Sequence, residues 1–174
     1  MTNNPCRDLT ESQPNQMIEY TITENIVLAG QPEPADWTPL VARGFRRVIN
    51  IRSDPERAAV EGGNATAAGL HYEHLPLPAY ELEAEHLETF RASLEAANGD
   101  KILIHCRTAS RTALLWMLHR VMHAGWTQAQ AEAELRAAGY DEDSMDTFTF
   151  CAEDFYERTG TLPHPDATAE PARG

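Results

Sequence analysis

The chain has 174 residues, in which 14 lysines and arginines face 27 aspartates and glutamates, for a formal net charge of −13. This length suits one compact domain, and a hydrophobic fraction of 42% allows a sizeable core. Because so acidic a chain is unsuited to replacing the counterions of nucleic acid or binding an anionic membrane, neither is expected as a partner. The charge favours a neutral or basic substrate over an acidic one, although a local site can still be positive.

The cysteine pattern and the chain start bear on the cellular compartment. Three cysteines, Cys6, Cys106 and Cys151, have no regular spacing, so a disulfide framework is not indicated and reduced thiols are expected. The first residues lack the pattern of a signal peptide, and no apolar run is long enough to span a bilayer. These features predict a cytoplasmic protein.

Both ends of the chain are polar and contain proline. Residues 1–16 and 161–174 are therefore expected to be flexible arms on either side of a single domain over residues 17–160. The domain opens with two β-type runs, 18–22 and 26–30, whose short polar connection predicts a hairpin. No internal repeat or second domain is apparent.

The middle of the chain alternates between helical and strand patterns. A short helix is expected between an Asp36 cap and Gly44. Residues 46–52 and 71–77 read as strands, and the helical segment between them is expected to be interrupted at Gly62–Gly63. The next helix carries an apolar face and stops at Asn98–Gly99.

The last third of the chain continues this alternation. Residues 101–106 predict a strand, and the following helix is apolar on nearly every side, which predicts a buried position. A further helix begins with a Thr127 to Gln130 capping box, and the last one spans about residues 144–158, with Cys151 on its apolar face. The pattern predicts an α/β fold, a three-layer α/β/α sandwich around a mainly parallel sheet of four to five strands.

Residues 104–112, "IHCRTASRT", place a cysteine and an arginine on one loop between a strand and a helix. Ligands of open α/β sheets bind where strands end and helix N-termini point their N–H groups. Backbone N–H groups along the loop are expected to form a nest for a tetrahedral oxyanion. The phosphate-binding residues predicted in this way are Arg107, Thr108, Ala109, Ser110 and Arg111.

The side chains of this loop suit nucleophilic chemistry. The planar fork of Arg111 can hold two oxygens of the anion, and together with the helix dipole it favours a thiolate at Cys106. A thiolate can form a covalent thiophosphate, and the hydroxyl of Thr112 could bond the sulfur. His105 is expected to order the loop from behind. The competing interpretation is that Cys106 is a small buried residue, but the strand–loop–helix context favours a reactive one.

The segment "HCRTASRT" resembles the phosphate-binding loop of cysteine-dependent protein tyrosine and dual-specificity phosphatases. That loop usually has five residues between cysteine and arginine, whereas this chain has four, residues 107–110. Four is also the length found in rhodanese sulfurtransferases. The loop alone therefore leaves phosphate chemistry and sulfane-sulfur chemistry both open.

The flanking segments "IVLAGQPEPADWTPLVARGFRRVINIRSDPE" and "AAGLHYEHLPL" are similar to the phosphatase-like domain of beta-lactamase hydrolase-like proteins. The resemblance covers about residues 18–123, while a "GHIPGA"-like turn and a "GG…W" segment typical of rhodaneses are missing. It implies a fold of the dual-specificity phosphatase type. It also implies Cys106 as nucleophile, Arg111 as phosphate clamp and Thr112 as the adjacent hydroxyl, without a metal or another cofactor.

Two features depart from that family's pattern. Ala109 stands where the pattern has glycine, and a left-handed backbone there would cost an alanine roughly 1 kcal/mol or more. The shorter loop also offers one N–H donor fewer to an oxyanion.

Phosphate ester cleavage needs an acid for the leaving oxygen, and phosphatases of this type place an aspartate before the nucleophile's strand. The corresponding segment, "LPLPAYELEAEH", has only glutamates, Glu81, Glu83 and Glu85, of which Glu81 is the preferred acid. The competing interpretation is that all three form a solvated helix start. Asp54 is a second candidate, although it also suits a helix cap.

The sequence supports a phosphatase acting on a phosphorylated protein or a small phosphoester through a cysteinyl-phosphate. Two alternatives stay open: a sulfurtransferase carrying a persulfide on Cys106, and a phospho-ligand binding module with little catalysis. His119 and His123 have a spacing that can bind metal, but no third ligand accompanies them, so packing is the preferred interpretation.

Overall fold

The computed structural model describes residues 17–78, 81–161 and 163. Most of the two predicted arms, 1–16 and 161–174, therefore lies outside the described residues. The centre of the fold is a five-stranded sheet with the order β1-β2-β5-β3-β4. Its strands are β1 (Glu19–Thr23), β2 (Ile26–Ala29), β3 (Arg47–Asn50), β4 (His71–His74) and β5 (Ile102–His105).

Strand pairing confirms the predicted hairpin and the mainly parallel sheet. β1 is antiparallel to β2, with a register irregularity between Thr21 and Thr23. β5 runs parallel to both β2 and β3, and β3 runs parallel to β4. His105, the last residue of β5, pairs with Ala29 on one side and Asn50 on the other. The chain therefore leaves β5 between the ends of two neighbouring strands.

Within the described residues, six α-helices cover the sheet, and a 3-10 turn (Pro34–Asp36) precedes the first. They are α1 (Trp37–Ala42), α2 (Pro55–Ala67), α3 (Ala84–Ala97), α4 (Ser110–His123), α5 (Gln128–Ala138) and α6 (Glu142–Thr159).

Alternate side chains of β5 enter two separate cores, as the period of a strand requires. Leu103 packs with Leu40 and Ala65, on the side of α1 and α2. Ile104 packs with side chains of α3 to α6, among them Phe90 and Leu115. This arrangement confirms the three-layer α/β/α sandwich.

Most predicted helix ends are confirmed. The capping box of Thr127 and Gln130 opens α5, and Asn98, in a left-handed conformation with φ 49°, ends α3. Asp36 was predicted to cap α1 but makes no side-chain hydrogen bond to that helix. Its carboxylate accepts instead from the Glu33 N–H at 2.7 Å, because the 3-10 turn comes first.

The predicted break at Gly62–Gly63 is wrong, because α2 continues through both glycines. A Cβ on Gly62 would lie 2.8 Å from the Tyr72 ring of β4, so glycine lets this ring pack directly under the helix. Tertiary packing therefore outweighs the low helix propensity of glycine here.

Cys151 is buried on α6, as predicted, but it is disulfide-bonded, which corrects the expectation of a reduced thiol at this position. Cys6 lies outside the described residues. No helix within residues 17–78 and 81–161 is long and apolar enough to cross a membrane.

Candidate active site

Cys106 lies at the carboxyl edge of the sheet, directly after β5. Its N–H donates to the Ala29 carbonyl at 3.1 Å, while the Ile51 N–H donates to the His105 carbonyl at 3.1 Å. Cys106 is a free thiol and is fully buried. Bonds from two neighbouring strands thus fix the backbone on either side of this thiol.

The loop after Cys106 closes against the end of β2. Gly30 forms a β-bridge with Thr108, and the Gln31 N–H donates to the Arg107 carbonyl at 3.1 Å. A Cβ on Gly30 would lie 3.0 Å from that same carbonyl oxygen. Only glycine allows so close an approach without displacing the loop.

Ala109 has a left-handed backbone, with φ 68° and ψ 4°, so the strain foreseen for an alanine in a glycine position is present. Its carbonyl accepts two hydrogen bonds, from the Thr112 hydroxyl at 2.9 Å and from the Tyr140 hydroxyl at 2.8 Å. These bonds hold the strained peptide in place. The Thr112 hydroxyl therefore donates to the loop backbone, and not to the Cys106 sulfur as expected.

Arg111 lies in the first turn of α4 and is 8% exposed. Its Nε has no hydrogen-bond partner in the part of the chain that the structure describes. A buried guanidinium nitrogen without a partner is costly, and an anion in the loop would satisfy it. The N-terminal N–H groups of α4, which starts at Ser110, add donors at the same place.

His105 supports the loop from behind, as predicted. Its Nδ1 lies 3.1 Å from the Cys106 carbonyl, and its Nε2 lies 2.7 Å from a Glu61 carboxylate oxygen. Both partners are acceptors, so the ring can bond both only when each nitrogen carries a proton. The loop backbone is in this way tied to a carboxylate on α2.

Glu61 is the centre of a polar network that was not predicted from the sequence. It accepts from the Tyr72 hydroxyl at 2.7 Å and from the Gln31 amide, and Asn50 donates to the Tyr72 hydroxyl at 2.8 Å. Burial raises the pKa of Glu61, but hydrogen bonds from His105, Tyr72 and Gln31 outweigh burial and lower the pKa overall. An ionised Glu61 therefore anchors His105.

The sequence did contain a signal for Glu61. It lies three residues after Ala58 and four before Ala65, which are the two buried residues of α2. A carboxylate at that helical spacing faces the core, where it requires partners.

Arginines concentrate at this edge of the sheet. Arg52 donates through a guanidinium nitrogen to the Gln31 amide oxygen and through its N–H to Asn50 at 2.9 Å. Burial lowers the pKa of Arg52, and the nearby positive charges of Arg57, Arg107 and Arg111 lower it further. A chain with a net charge of −13 thus presents a locally positive site.

Tyr140 is a second residue of the site that was not predicted from the sequence. It follows the Gly139 cap of α5, is 5% exposed, and stacks on Tyr20 with ring centroids 3.7 Å apart. Its pKa is raised well above the usual value, first by burial and then by charge at Cys106. Its position under Ala109 makes it part of the loop's support.

The candidate acids lie apart from this network. Glu81 is exposed and has a left-handed φ of 64°, and none of the hydrogen bonds in the described ranges engages its carboxylate. Glu83 caps α3 in a capping box with His86, and Glu85 lies in the first turn of that helix. No described contact joins these three side chains to Cys106.

Asp54 caps α2, because its carboxylate accepts from the Glu56 and Arg57 N–H groups, both at 3.1 Å. His119 packs edge-on against Phe90, with ring centroids 5.6 Å apart. Within the described residues, no group of three or more His, Cys, Asp or Glu side chains could hold a metal ion.

A buried thiol, a buried arginine whose Nε lacks a partner among the described residues, and a helix N-terminus lie at the carboxyl edge of a mainly parallel sheet. The fold is that of the cysteine-based protein tyrosine phosphatases. TpbA from P. aeruginosa superposes with a TM-score of 0.63 at 21% identity, covering 83% of this chain and 90% of that one. Tk-PTP in its active form gives 0.61 at 19% identity, covering 78% and 96%.

The family to which the chain belongs is a smaller group of proteins than those that share this fold. The model of the phosphatase-like domain of beta-lactamase hydrolase-like proteins matches residues 19–123, and the chain belongs to that family. A beta-lactamase hydrolase-like protein from Xylella fastidiosa (strain Temecula1) is 27% identical over 125 residues, and one from Agrobacterium fabrum is 28% identical over 125 residues. Each alignment covers 69% of this chain but only 29% of the relative, so the chain spans less than a third of their length.

Proposed function

We propose that the protein is a cysteine-dependent phosphatase, similar to tyrosine and dual-specificity phosphatases, that hydrolyses phosphate monoesters at Cys106. The observation that carries the proposal is the buried Arg111 guanidinium, whose Nε lacks a partner among the described residues. It lies in the first turn of the helix that follows Cys106. The arginines around Arg52 support the same conclusion, since they favour an anionic substrate.

In the first step, the Cys106 thiolate attacks phosphorus and the bond to the leaving oxygen breaks, which gives a cysteinyl-phosphate. Arg111 and the N–H groups of residues 107–111 hold the equatorial oxygens, where negative charge develops. His105, held by Glu61, fixes the Cys106 carbonyl and so positions the nucleophile for this attack.

A general acid gives its proton to the leaving oxygen and then, as a base, takes one from the attacking water. Water attacks phosphorus, the phosphorus–sulfur bond breaks, and its electron pair returns to Cys106. Glu81 is our candidate for this acid, because its left-handed backbone is strained and no hydrogen bond among the described residues engages its carboxylate. A residue other than glycine that is held at such a positive φ is often part of a functional site.

Phosphotyrosine is the first substrate class to test. A structure of a cysteine-to-serine variant of TpbA from P. aeruginosa contains phosphotyrosine, and it superposes with a TM-score of 0.61 at 20% identity, covering 81% of this chain and 87% of that one. Phosphotyrosine peptides and small aryl phosphates are therefore the substrates that we propose, with no requirement for added metal.

The proposal is tested with an aryl phosphate in a chelating buffer. The wild type should turn the substrate over, whereas Cys106→Ser should lose activity by at least about a thousandfold, since nothing replaces the nucleophile. Arg111→Lys should lose at least about tenfold, because lysine lacks the planar fork. Arg46→Lys, at the opposite end of β3, is the matched control and should keep full activity. Turnover that survives Cys106→Ser would exclude the proposed mechanism.

A sulfurtransferase is the second candidate, and the four residues between Cys106 and Arg111 favour it. Cys106 would attack thiosulfate, release sulfite with the electron pair of the broken S–S bond, and pass the outer sulfur to cyanide as thiocyanate. Transfer from thiosulfate to cyanide without turnover of any aryl phosphate would establish this candidate instead. Phosphate binding without turnover of either substrate would indicate a binding module.

A further inference from the structure

A cleft of about 460 Å³ lies beside the Cys106 loop, between the end of β3, the 3-10 turn and the exposed side of α2. Gln31 and Arg52 form its inner wall, and Arg57 and Asn64 belong to its lining on α2. Neither Cys106 nor Arg111 lines it. The cleft therefore adjoins the phosphate loop without being part of it.

The register of the sheet fixes how the cleft and the loop are related. Asn50 of β3 pairs with His105 of β5, so Arg52 and Arg107 each lie two residues beyond a paired position on adjacent strands. Neighbouring strands are about 4.8 Å apart, which places the two chain segments side by side. Gln31 joins them, because its N–H donates to the Arg107 carbonyl and its amide oxygen accepts from Arg52.

The arginines of the cleft have free donors. One guanidinium nitrogen of Arg52 donates a hydrogen bond to the Gln31 amide oxygen. Arg52 forms no ion pair within the described residues. The exposed Arg57 guanidinium has no hydrogen bond or ion pair in the same part of the chain, since only its backbone N–H is engaged. A guanidinium in this state can take a phosphate or carboxylate in a bidentate geometry.

Four carboxylates also line the cleft, but three of them already accept hydrogen bonds. Asp54 caps α2, Glu61 accepts from His105, Tyr72 and Gln31, and Glu33 forms the capping box of the 3-10 turn. Only Glu56, exposed in the first turn of α2, lacks such a partner in the described ranges. The charged groups of the cleft that remain available to a ligand are therefore the guanidiniums of Arg52 and Arg57 and the carboxylate of Glu56.

We propose that the cleft is a second anion subsite, where Arg52 and Arg57 bind a second phosphate or carboxylate of a small phosphomonoester. The first phosphate of that substrate occupies the Cys106 loop, so the inference rests on the proposed phosphatase function. A cleft of this volume suits a small ligand, and the exposed side chains of Val60 and Pro34 offer an apolar wall for it. The preferred substrate is thus doubly anionic, contrary to the expectation from net charge.

The test uses Cys106→Ser, which binds without turnover, and linear alkyl bisphosphates of increasing length against the matching alkyl monophosphates. Titration calorimetry gives both affinities at each length. At the length that spans the two sites, the bisphosphate should bind at least about tenfold more tightly than the monophosphate, well above the twofold statistical advantage of two equal head groups. Adding Arg57→Gln should remove most of this ratio without changing monophosphate affinity. Adding Arg52→Gln should also lower the ratio, but it should weaken the monophosphate as well, because Arg52 contributes positive charge at the Cys106 loop.

Arg46→Gln is the matched control, because it removes the same charge from an exposed arginine at the opposite end of β3. It should leave the ratio unchanged. A ratio near two at every length, in a protein that does turn over aryl phosphates, would overturn the second subsite alone. Absence of both turnover and monophosphate binding would overturn the proposed function and this inference together. An equal loss in Arg46→Gln would show long-range charge attraction in place of a subsite.

Discussion

At the scale of single residues, Ala109 shows how the loop combines strain and support. Its left-handed backbone costs an alanine about 1 kcal/mol relative to glycine, while its buried methyl contributes about 0.8 kcal/mol. Because these terms oppose each other, Ala109→Gly should change the free energy of unfolding by less than about 1 kcal/mol. The two hydrogen bonds to its carbonyl remain possible in the variant.

Ala113 provides the matched control, since it is equally buried but lies within α4. Ala113→Gly loses both the methyl and the helix propensity of alanine, so a destabilisation of about 2 kcal/mol is expected. Urea unfolding of both variants measures the difference. An equal loss for Ala109→Gly would mean that its left-handed backbone carries no strain.

Glu81 leads to a prediction about leaving groups. If Glu81 is the general acid, Glu81→Gln should slow hydrolysis of an alkyl phosphate by about a hundredfold or more, since its leaving oxygen needs a proton. The same variant should slow an aryl phosphate with a good leaving group much less. Glu83→Gln is the control, because Glu83 caps α3. Equal effects of Glu81→Gln on both substrates would exclude Glu81 as the acid.

At the scale of the elements, the two adjacent glycines of α2 have opposite roles. A Cβ on Gly63 meets nothing within 4 Å, so Gly63→Ala should stabilise the protein by about 0.5 to 1 kcal/mol through helix propensity. A Cβ on Gly62 would lie 2.8 Å from the Tyr72 ring, which is held by Glu61 and Asn50.

Gly62→Ala must therefore displace Tyr72 and should cost about 1 to 3 kcal/mol. Because Tyr72 bonds the carboxylate that holds His105, this variant should also reduce turnover, whereas Gly63→Ala should not. Thermal unfolding and aryl phosphate kinetics measure the two effects. Equal stability of the two variants would show that the packing of Tyr72 on Gly62 is unimportant.

Elements with strong local signals were predictable from the sequence. The capping box at Thr127, the stop at Asn98 and the all-round apolar α4 depend on neighbours within a few residues. The continuity of α2 was not predictable, because it depends on Tyr72, which reaches Gly62 only in the folded sheet.

The residues of the candidate site were likewise predictable only in part. Cys106 and Arg111 were predictable because one loop carries both. The supports of the loop were not, because Glu61 is 44 residues from His105 and Tyr140 is 31 residues from Ala109. Those partners become neighbours only through the strand order and the packing of α2 and α5.

At the scale of the whole molecule, the described arginines differ in their partners. Away from the site, six arginines pair with carboxylates, whereas Arg46 donates to the Phe45 carbonyl; the six are Arg43, Arg47, Arg91, Arg120, Arg136 and Arg158. At the carboxyl edge of the sheet, Arg52, Arg57 and Arg111 form no ion pair within the described residues, although the chain has 13 more acidic than basic side chains. This distribution keeps positive charge available to a ligand while the remaining surface stays acidic.

The stability of the whole domain should also depend on pH through His119. This residue packs against Phe90 and Trp116, and its buried Nδ1 has no hydrogen-bond partner among the residues described. Burial first, and then the charges of His123, Arg120 and Arg91, lower the pKa of His119 from 6.5 to about 4. Between these values the unfolded chain binds a proton that the folded protein does not, so stability falls as the pH falls from 6.5 towards 4.

Since the ring is only partly buried, the loss assigned to His119 should be about 1 to 2 kcal/mol between about pH 7 and pH 5. His119→Gln, which stays neutral over this range, should flatten the pH dependence by that amount. His71→Gln is the control, because that histidine is exposed on β4, and it should keep the wild-type slope. Urea unfolding at several pH values measures all three proteins. If His119→Gln keeps the full slope, protonation of another group destabilises the fold, and His119 is protonated in the folded state without cost.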